Sequence, residues 1–82
     1  MNTIEKAIIF AAKAHRKQTR KGTDIPYITH PFAVGIYLQK ANCCEEVIAA
    51  GILHDTLEDT ETTYNDLKES FGDHVANLVL AA

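Results

Sequence analysis

With 82 residues the chain fits one small domain, and its net charge of −3 gives no sign of the basic face that nucleic-acid binding requires. Hydrophobic residues make up 46% of the sequence and charged residues 23%, a composition typical of a folded globular domain, so intrinsic disorder is excluded. No apolar run approaches the roughly 18 residues of a membrane span, and the first residues lack the order of a signal peptide, which predicts a cytoplasmic protein without membrane or nucleic-acid partners.

The first predicted helix runs from about residue 3 to residue 18. Asn2 suits its N-cap. One helical face carries residues at the spacing of an amphipathic helix: Ile4, Ala7, Ile8, Ala11 and His15. We interpret His15 as a core histidine with satisfied hydrogen bonds. Half of the eight Lys and Arg residues fall within residues 15–21; this cationic segment suits a small anionic ligand, and a solvated helix end is the alternative.

Residues 20–26 are rich in turn formers and predict a loop before the second helix. Pro31 suits the first position of that helix and disfavours helical dihedrals at His30, so His30 is expected where the helix begins. Apolar residues on more than one side predict a buried helix that ends near Lys40: Phe32, Val34, Ile36, Tyr37 and Leu38.

A capping box of Asn42 with Glu45 predicts the start of a third helix. Its inward stripe comprises Val47, Ala50, Gly51 and His54. The preceding cysteines, Cys43 and Cys44, are adjacent, which is poor geometry for a mutual disulfide and lacks the spacing of a zinc knuckle. We therefore interpret both as reduced.

Two short helices complete the chain. Thr63 can cap the fourth, Gly72 can end it, and Asp73 can open the fifth. No segment has the pattern of a strand, and the connections are short, so the sequence predicts an all-α bundle of about five helices. Because the apolar pattern runs to Ala82 without a helix stop signal, we expect the domain to be truncated at its C-terminus.

Residues with metal-ligand chemistry gather at His30, at the pair His54 and Asp55, and at the pair Glu58 and Asp59. On a continuous helix, His54 and Glu58 are spaced i, i+4, and so are Asp55 and Asp59. Four polar groups therefore project from about one and a half turns. Mixed imidazole and carboxylate ligands suit Mn²⁺, Fe²⁺ or Zn²⁺ better than Ca²⁺ or Mg²⁺. A bare His-Asp dipeptide is a weak signal, and structural hydrogen bonding is the alternative.

Several blocks occur in an order and spacing that cover nearly the whole chain: Ala14-His15 with Gln18, Arg20-Lys21, residues 26–31 (PYITHP), residues 54–60 (HDTLEDT) and Phe71-Gly72. This series resembles the hydrolase domain of RelA/SpoT-type proteins and their small single-domain relatives. The resemblance implies an all-helical HD phosphohydrolase domain over residues 1–82. It also implies hydrolysis of the 3′-diphosphate of (p)ppGpp, a guanine nucleotide, to release pyrophosphate, usually with Mn²⁺.

Carried over by position, the resemblance implies three metal ligands: His30, His54 and Asp55. It implies that Glu58 and Asp59 are carboxylates that position or activate the attacking water. It also implies that Arg20 and Lys21 are cations that bind the substrate. The fourth metal ligand of the family is an aspartate on a later helix, and the 82 residues do not contain it. Asp73 lies outside the family's motif and is not assigned that role.

Three hypotheses are compatible with the sequence. In the first, the chain is part of a (p)ppGpp hydrolase. In the second, two copies form a homodimer that buries the apolar last helix and supplies the missing ligand. In the third, the chain is a catalytically incomplete remnant that acts as a nucleotide- or protein-binding helical module.

Overall fold

The computed structural model describes residues 2–82. Five helices of eight or more residues and one single turn follow one another along this part of the chain: α1 (Thr3–Ala14), α2 (Thr29–Lys40), α3 (Glu45–Leu53), α4 (Thr56–Asp59), α5 (Tyr64–Phe71) and α6 (Asp73–Ala81). Between residues 2 and 82 the β-type pairing is an isolated bridge of Thr19 with Pro26. The all-α prediction is therefore confirmed. None of these helices is both long and apolar enough to cross a membrane.

Helix α3 lies at the centre of the bundle and packs against α1, α2 and α6. It is buried on several sides, through Ile48, Ala49, Ala50, Ile52 and Leu53. In α1, Ala7 and Ala11 are fully buried one turn apart, and their small side chains permit a close approach of neighbouring helices. The central position of α3 fixes the location of His54, which directly follows its last residue.

Two glycines allow α2 to lie close against α3. A Cβ atom added at Gly35 would lie 2.8 Å from Cγ1 of Ile52, and one added at Gly51 would overlap Leu38. Neither position has room for a larger side chain without movement of its neighbour. This close packing holds the first turn of α2, which carries His30, near the end of α3.

Three of the expected helix ends are confirmed. The side chain of Asn2 accepts a hydrogen bond from the backbone N–H of Glu5. Thr63 and Asp66 form a reciprocal capping box at the start of α5. Gly72 ends α5 with a φ of +88°, a conformation that glycine adopts without steric cost.

The expected start of α3 is wrong, because Asn42 ends α2 instead of capping α3. Asn42 has a φ of +60°, its N–H donates to the carbonyl of Gln39, and the N–H of Cys43 donates to that of Leu38. This pair of hydrogen bonds is the Schellman arrangement, in which asparagine is tolerated at the left-handed position. Cys44 precedes α3 without a side-chain cap, and both cysteines are free thiols, as expected.

The end of α1 and the start of α2 also differ from expectation. Helix α1 ends at Ala14, four residues early, because the chain tightens into a turn in which the N–H of Gln18 donates to the carbonyl of His15. Helix α2 begins at Thr29, so His30 is helical. Pro31 is tolerated there because the first N–H groups of a helix have no intrahelical partner.

The prediction that α2 is a buried helix is wrong. Phe32, Ile36 and Tyr37 are 47%, 39% and 70% exposed, and its fully buried residues are Pro31 and Gly35. The helix packs against α3, and each of these three side chains stays more than a third exposed. Burial of an apolar face depends on a partner element, which the composition of the helix itself does not specify.

Candidate metal centre

Three side chains with metal-ligand chemistry meet between the first turn of α2 and the end of α3. One ligand atom each of His30, His54 and Asp55 lies within 4.8 Å of the other two. Nε2 of His54 is 3.1 Å from Oδ1 of Asp55, and Nε2 of His30 is 3.8 Å from Oδ2. The three side chains are between 21% and 37% exposed, so the cluster is accessible from solvent.

A backbone carbonyl determines which nitrogen of His54 faces the cluster. Nδ1 lies 2.6 Å from the carbonyl oxygen of Gly51. A carbonyl only accepts hydrogen bonds, so Nδ1 carries the proton and, in the neutral imidazole, Nε2 presents its lone pair toward Asp55. A lone pair facing a carboxylate oxygen is unfavourable unless a cation or a second proton on the ring lies between them. The donor set therefore fits a divalent metal ion.

A tyrosine completes the surroundings of Asp55. The hydroxyl of Tyr27 donates to Oδ2 of Asp55 across 2.5 Å. Burial, followed by this hydrogen bond and the charges of Asp55 and Asp59, raises the pKa of Tyr27 to about 12. The phenol is therefore protonated and acts as a donor at neutral pH. Tyr27 was not singled out from the sequence as a site residue, although it lies within the 26–31 block.

The helix does not continue unbroken from α3 into α4. His54 and Asp55 separate the two, and α4 is a single turn. The N–H of Asp59 still donates to the carbonyl of Asp55 over 3.0 Å, so the one-turn offset between these residues is preserved. Glu58 and Asp59 are not part of the three-residue ligand cluster, and both are exposed.

Glu58 and Asp59 line an open groove, and none of the three cluster residues lines it. Its volume is about 730 Å³. The cations along its wall are Arg16 and Lys17, which follow α1 and belong to the cationic segment of residues 15–21. A carboxylate pair at the edge of an open groove can bind water and accept protons.

Comparison with known proteins decides the family. The sequence profile of the HD domain matches residues 7–82. The chain belongs to the HD domain family.

Its relatives support the resemblance to RelA/SpoT-type proteins. The chain is 50% identical over 76 residues to the guanosine-3′,5′-bis(diphosphate) 3′-pyrophosphohydrolase of Aquifex aeolicus, a match that covers 93% of this chain and 11% of that protein. It is 43% identical over 79 residues to the GTP pyrophosphokinase of Myxococcus xanthus, covering 96% of this chain and 10% of that protein. This chain thus spans about a tenth of the length of these curated relatives.

A solved structure shows the same fold. A metazoan ortholog of SpoT, described as hydrolysing ppGpp and acting in starvation responses, superposes with a TM-score of 0.88 at 34% identity. The superposition covers 98% of this HD domain and 47% of that chain. The expected HD-domain fold is confirmed.

The loop that carries Arg20 and Lys21 is an ordered part of this HD domain. The N–H of Arg20 donates to the carbonyl of Ile25 over 2.8 Å, and Gly22 turns the chain with a φ of +75°. Both cations are exposed and have no carboxylate within 4 Å among residues 2–82. The charge of Arg20 offsets a small part of the rise in the pKa of Tyr27. Neither Arg20 nor Lys21 lines the groove that Glu58 and Asp59 border.

His15 is a core histidine, as expected, but its hydrogen bonds are only half satisfied. The side chain is buried, and Nδ1 lies 3.0 Å from Oε1 of Gln18. Nε2 has no hydrogen-bond partner within residues 2–82. The amide of Gln18 in turn donates to the carbonyl of Asp59 over 2.6 Å, so this buried histidine and α4 share one connecting side chain.

Proposed function

We propose that this chain supplies the metal site and the water-activating carboxylates of a (p)ppGpp 3′-pyrophosphohydrolase, in one HD phosphohydrolase domain over residues 1–82. The convergence of His30, His54 and Asp55 within 4.8 Å carries the proposal. A relative with 50% identity over 76 residues is named for this activity, which favours a guanosine 3′-diphosphate as the substrate.

Nε2 of His30, Nε2 of His54 and a carboxylate oxygen of Asp55 would hold the metal ion. Two imidazoles and one carboxylate favour a transition metal over Ca²⁺ or Mg²⁺, and we assign Mn²⁺ as its identity. When bound, such an ion polarises a phosphoryl oxygen and lowers the pKa of a coordinated water. The contact of His54 with Gly51 keeps the lone pair of Nε2 available for this role.

Glu58 and Asp59 act on the attacking water. One of these carboxylates orients the water by accepting its hydrogen bond and takes its proton as the water oxygen attacks the phosphorus bonded to the 3′-oxygen. The bond from this phosphorus to the 3′-oxygen breaks, pyrophosphate leaves, and the 3′-oxygen takes up a proton to become the 3′-hydroxyl. Arg20 and Lys21 neutralise charge on the diphosphate, and a guanidinium can also stack on a base. Both cations are free of ion-pair partners within residues 2–82, so no existing pair must be broken when an anion binds.

A catalytically incomplete helical module is the second candidate. It is favoured by the ligand cluster within residues 2–82, which offers three donors where the resemblance to RelA/SpoT-type proteins implies four. In a homodimer, a second copy would cover the apolar surface of α6, where Leu80 is 61% exposed. For either function we propose a cytoplasmic location and no nucleic-acid or membrane partner.

The test is Mn²⁺-dependent release of pyrophosphate from ppGpp by the purified chain, with metal content and mass in solution measured on the same sample. His54→Ala and Asp55→Ala should each abolish both metal retention and release while the helical circular dichroism persists. His74→Ala is the matched control, because His74 pairs with Glu46 in the first turn of α3, at the opposite end from His54. Metal retention in His54→Ala equal to that of the wild type would refute the metal site.

A further inference from the structure

The two oxygens of the Asp55 carboxylate have different partners. Oδ1 lies 3.1 Å from Nε2 of His54. Oδ2 accepts a hydrogen bond from the hydroxyl of Tyr27, 2.5 Å away, and is 3.8 Å from Nε2 of His30. Rotation about the last bond of an aspartate side chain is soft, so the carboxylate plane is set by what its oxygens contact. The phenol is therefore the group that fixes this plane when no cation is present.

Tyr27 itself is held rigidly. Its N–H donates to the carbonyl of Gln18 over 2.9 Å, and its own carbonyl accepts from the N–H of His30 at 2.9 Å. Its ring lies against two histidines, with centroid distances of 4.7 Å to His15 and 5.8 Å to His30. A donor fixed by its backbone and by both neighbouring rings loses little entropy when it holds Asp55.

We infer that Tyr27 is a positioning residue that orients Asp55 for metal binding, leaving Oδ1 to face the cation beside His54. The inference rests on the proposed metal site but assigns a role to a residue outside the ligand set. Groups that orient metal ligands change metal affinity by about 10- to 100-fold when they are removed. A residue in this role acts through Asp55 and needs no contact with the nucleotide.

Tyr27→Phe removes the hydroxyl and retains the ring packing against His15 and His30. We expect its Kd for Mn²⁺, measured by titration calorimetry, to rise about tenfold or more. Its kcat at saturating Mn²⁺ should stay within about threefold of the wild type, because the ligands and the water-activating carboxylates remain. Co²⁺ used in place of Mn²⁺ should give an altered visible absorption spectrum in this variant.

Tyr64→Phe is the matched control. It also removes one phenol hydroxyl, which donates to Asn77 over 2.6 Å between α5 and α6. Its Mn²⁺ affinity and Co²⁺ spectrum should equal those of the wild type. Replacement of Tyr27 by 4-aminophenylalanine restores a donor at the end of the ring and should recover Mn²⁺ affinity; this variant also serves if Tyr27→Phe does not fold.

An unchanged Mn²⁺ Kd and Co²⁺ spectrum in Tyr27→Phe would overturn the inference, as would failure of the amino variant to restore affinity. A wild-type chain that binds neither ion would overturn it too, because the hydrogen bond would then be only structural. If the wild type binds Mn²⁺ but releases no pyrophosphate from ppGpp, the proposed function fails, and the Kd comparison still decides the role of Tyr27.

Discussion

The side-chain amide of Gln18 donates a hydrogen bond to the backbone carbonyl of Asp59 across 2.6 Å. This contact joins the turn after α1 to the last residue of α4, two segments that are 41 positions apart in the chain. The position of α4 relative to the ligand cluster therefore depends on a residue from another part of the sequence.

Gln18→Met should loosen α4 without affecting metal binding. The substitution keeps the length of the side chain but removes its hydrogen bonds to His15 and to Asp59. We expect the free energy of unfolding to fall by about 1 kcal/mol and kcat to fall roughly fivefold. Urea unfolding and steady-state kinetics measure the two effects. Gln39→Met, an exposed change on α2, is the control. A kcat of Gln18→Met equal to that of the wild type would show that α4 is held by other contacts.

Glu58→Gln should separate metal binding from turnover. Glu58 lies outside the three-ligand cluster, so Mn²⁺ content should match the wild type. An amide cannot accept the proton of the attacking water, and we expect kcat to drop about 10²- to 10⁴-fold. The comparison variant is Glu69→Gln, which alters an exposed carboxylate on α5. Loss of Mn²⁺ in Glu58→Gln would instead identify Glu58 as a ligand.

Gly35→Ala should weaken the structure and the metal site together. The new Cβ would lie 2.8 Å from Cγ1 of Ile52, a side chain that is 1% exposed and has little room to move. Overpacking of this kind costs about 1–3 kcal/mol, which exceeds the roughly 0.5–1 kcal/mol gained by replacing a helical glycine. We also expect weaker Mn²⁺ binding, because α2 carries His30.

Thermal unfolding and Mn²⁺ titration of Gly35→Ala measure these two effects. Lys40→Ala, an exposed change at the end of the same helix, should leave both unchanged. A midpoint of thermal unfolding for Gly35→Ala at or above that of the wild type would show that α2 can move away from α3 at no cost.

Features with a local cause could be predicted from the sequence. The sequence correctly predicted the helix caps at Asn2 and Thr63 and the helix end at Gly72. Each depends on residues close by in the sequence. Asn42 was misinterpreted because asparagine suits both a helix start and a left-handed helix end, and the sequence does not say which hydrogen bonds form.

The structure brings His30, His54 and Asp55 together as the motif predicted, and their role as ligands stays a prediction. Other features that depend on distant partners could not be predicted. The contact between Tyr27 and Asp55 spans 28 positions and requires the folded structure. The exposure of Tyr37 was missed for the same reason. The hydrophobic pattern of α2 does not reveal which other helices pack against it.

The placement of the cluster at the end of α3 has an electrostatic consequence. His54 caps that helix at its C-terminus, where unpaired carbonyl groups carry partial negative charge, and Asp55, Glu58 and Asp59 follow directly. This potential attracts a cation and repels a diphosphate. The nucleotide should consequently bind weakly to the metal-free protein, and the two ligands should bind in a fixed order, cation first.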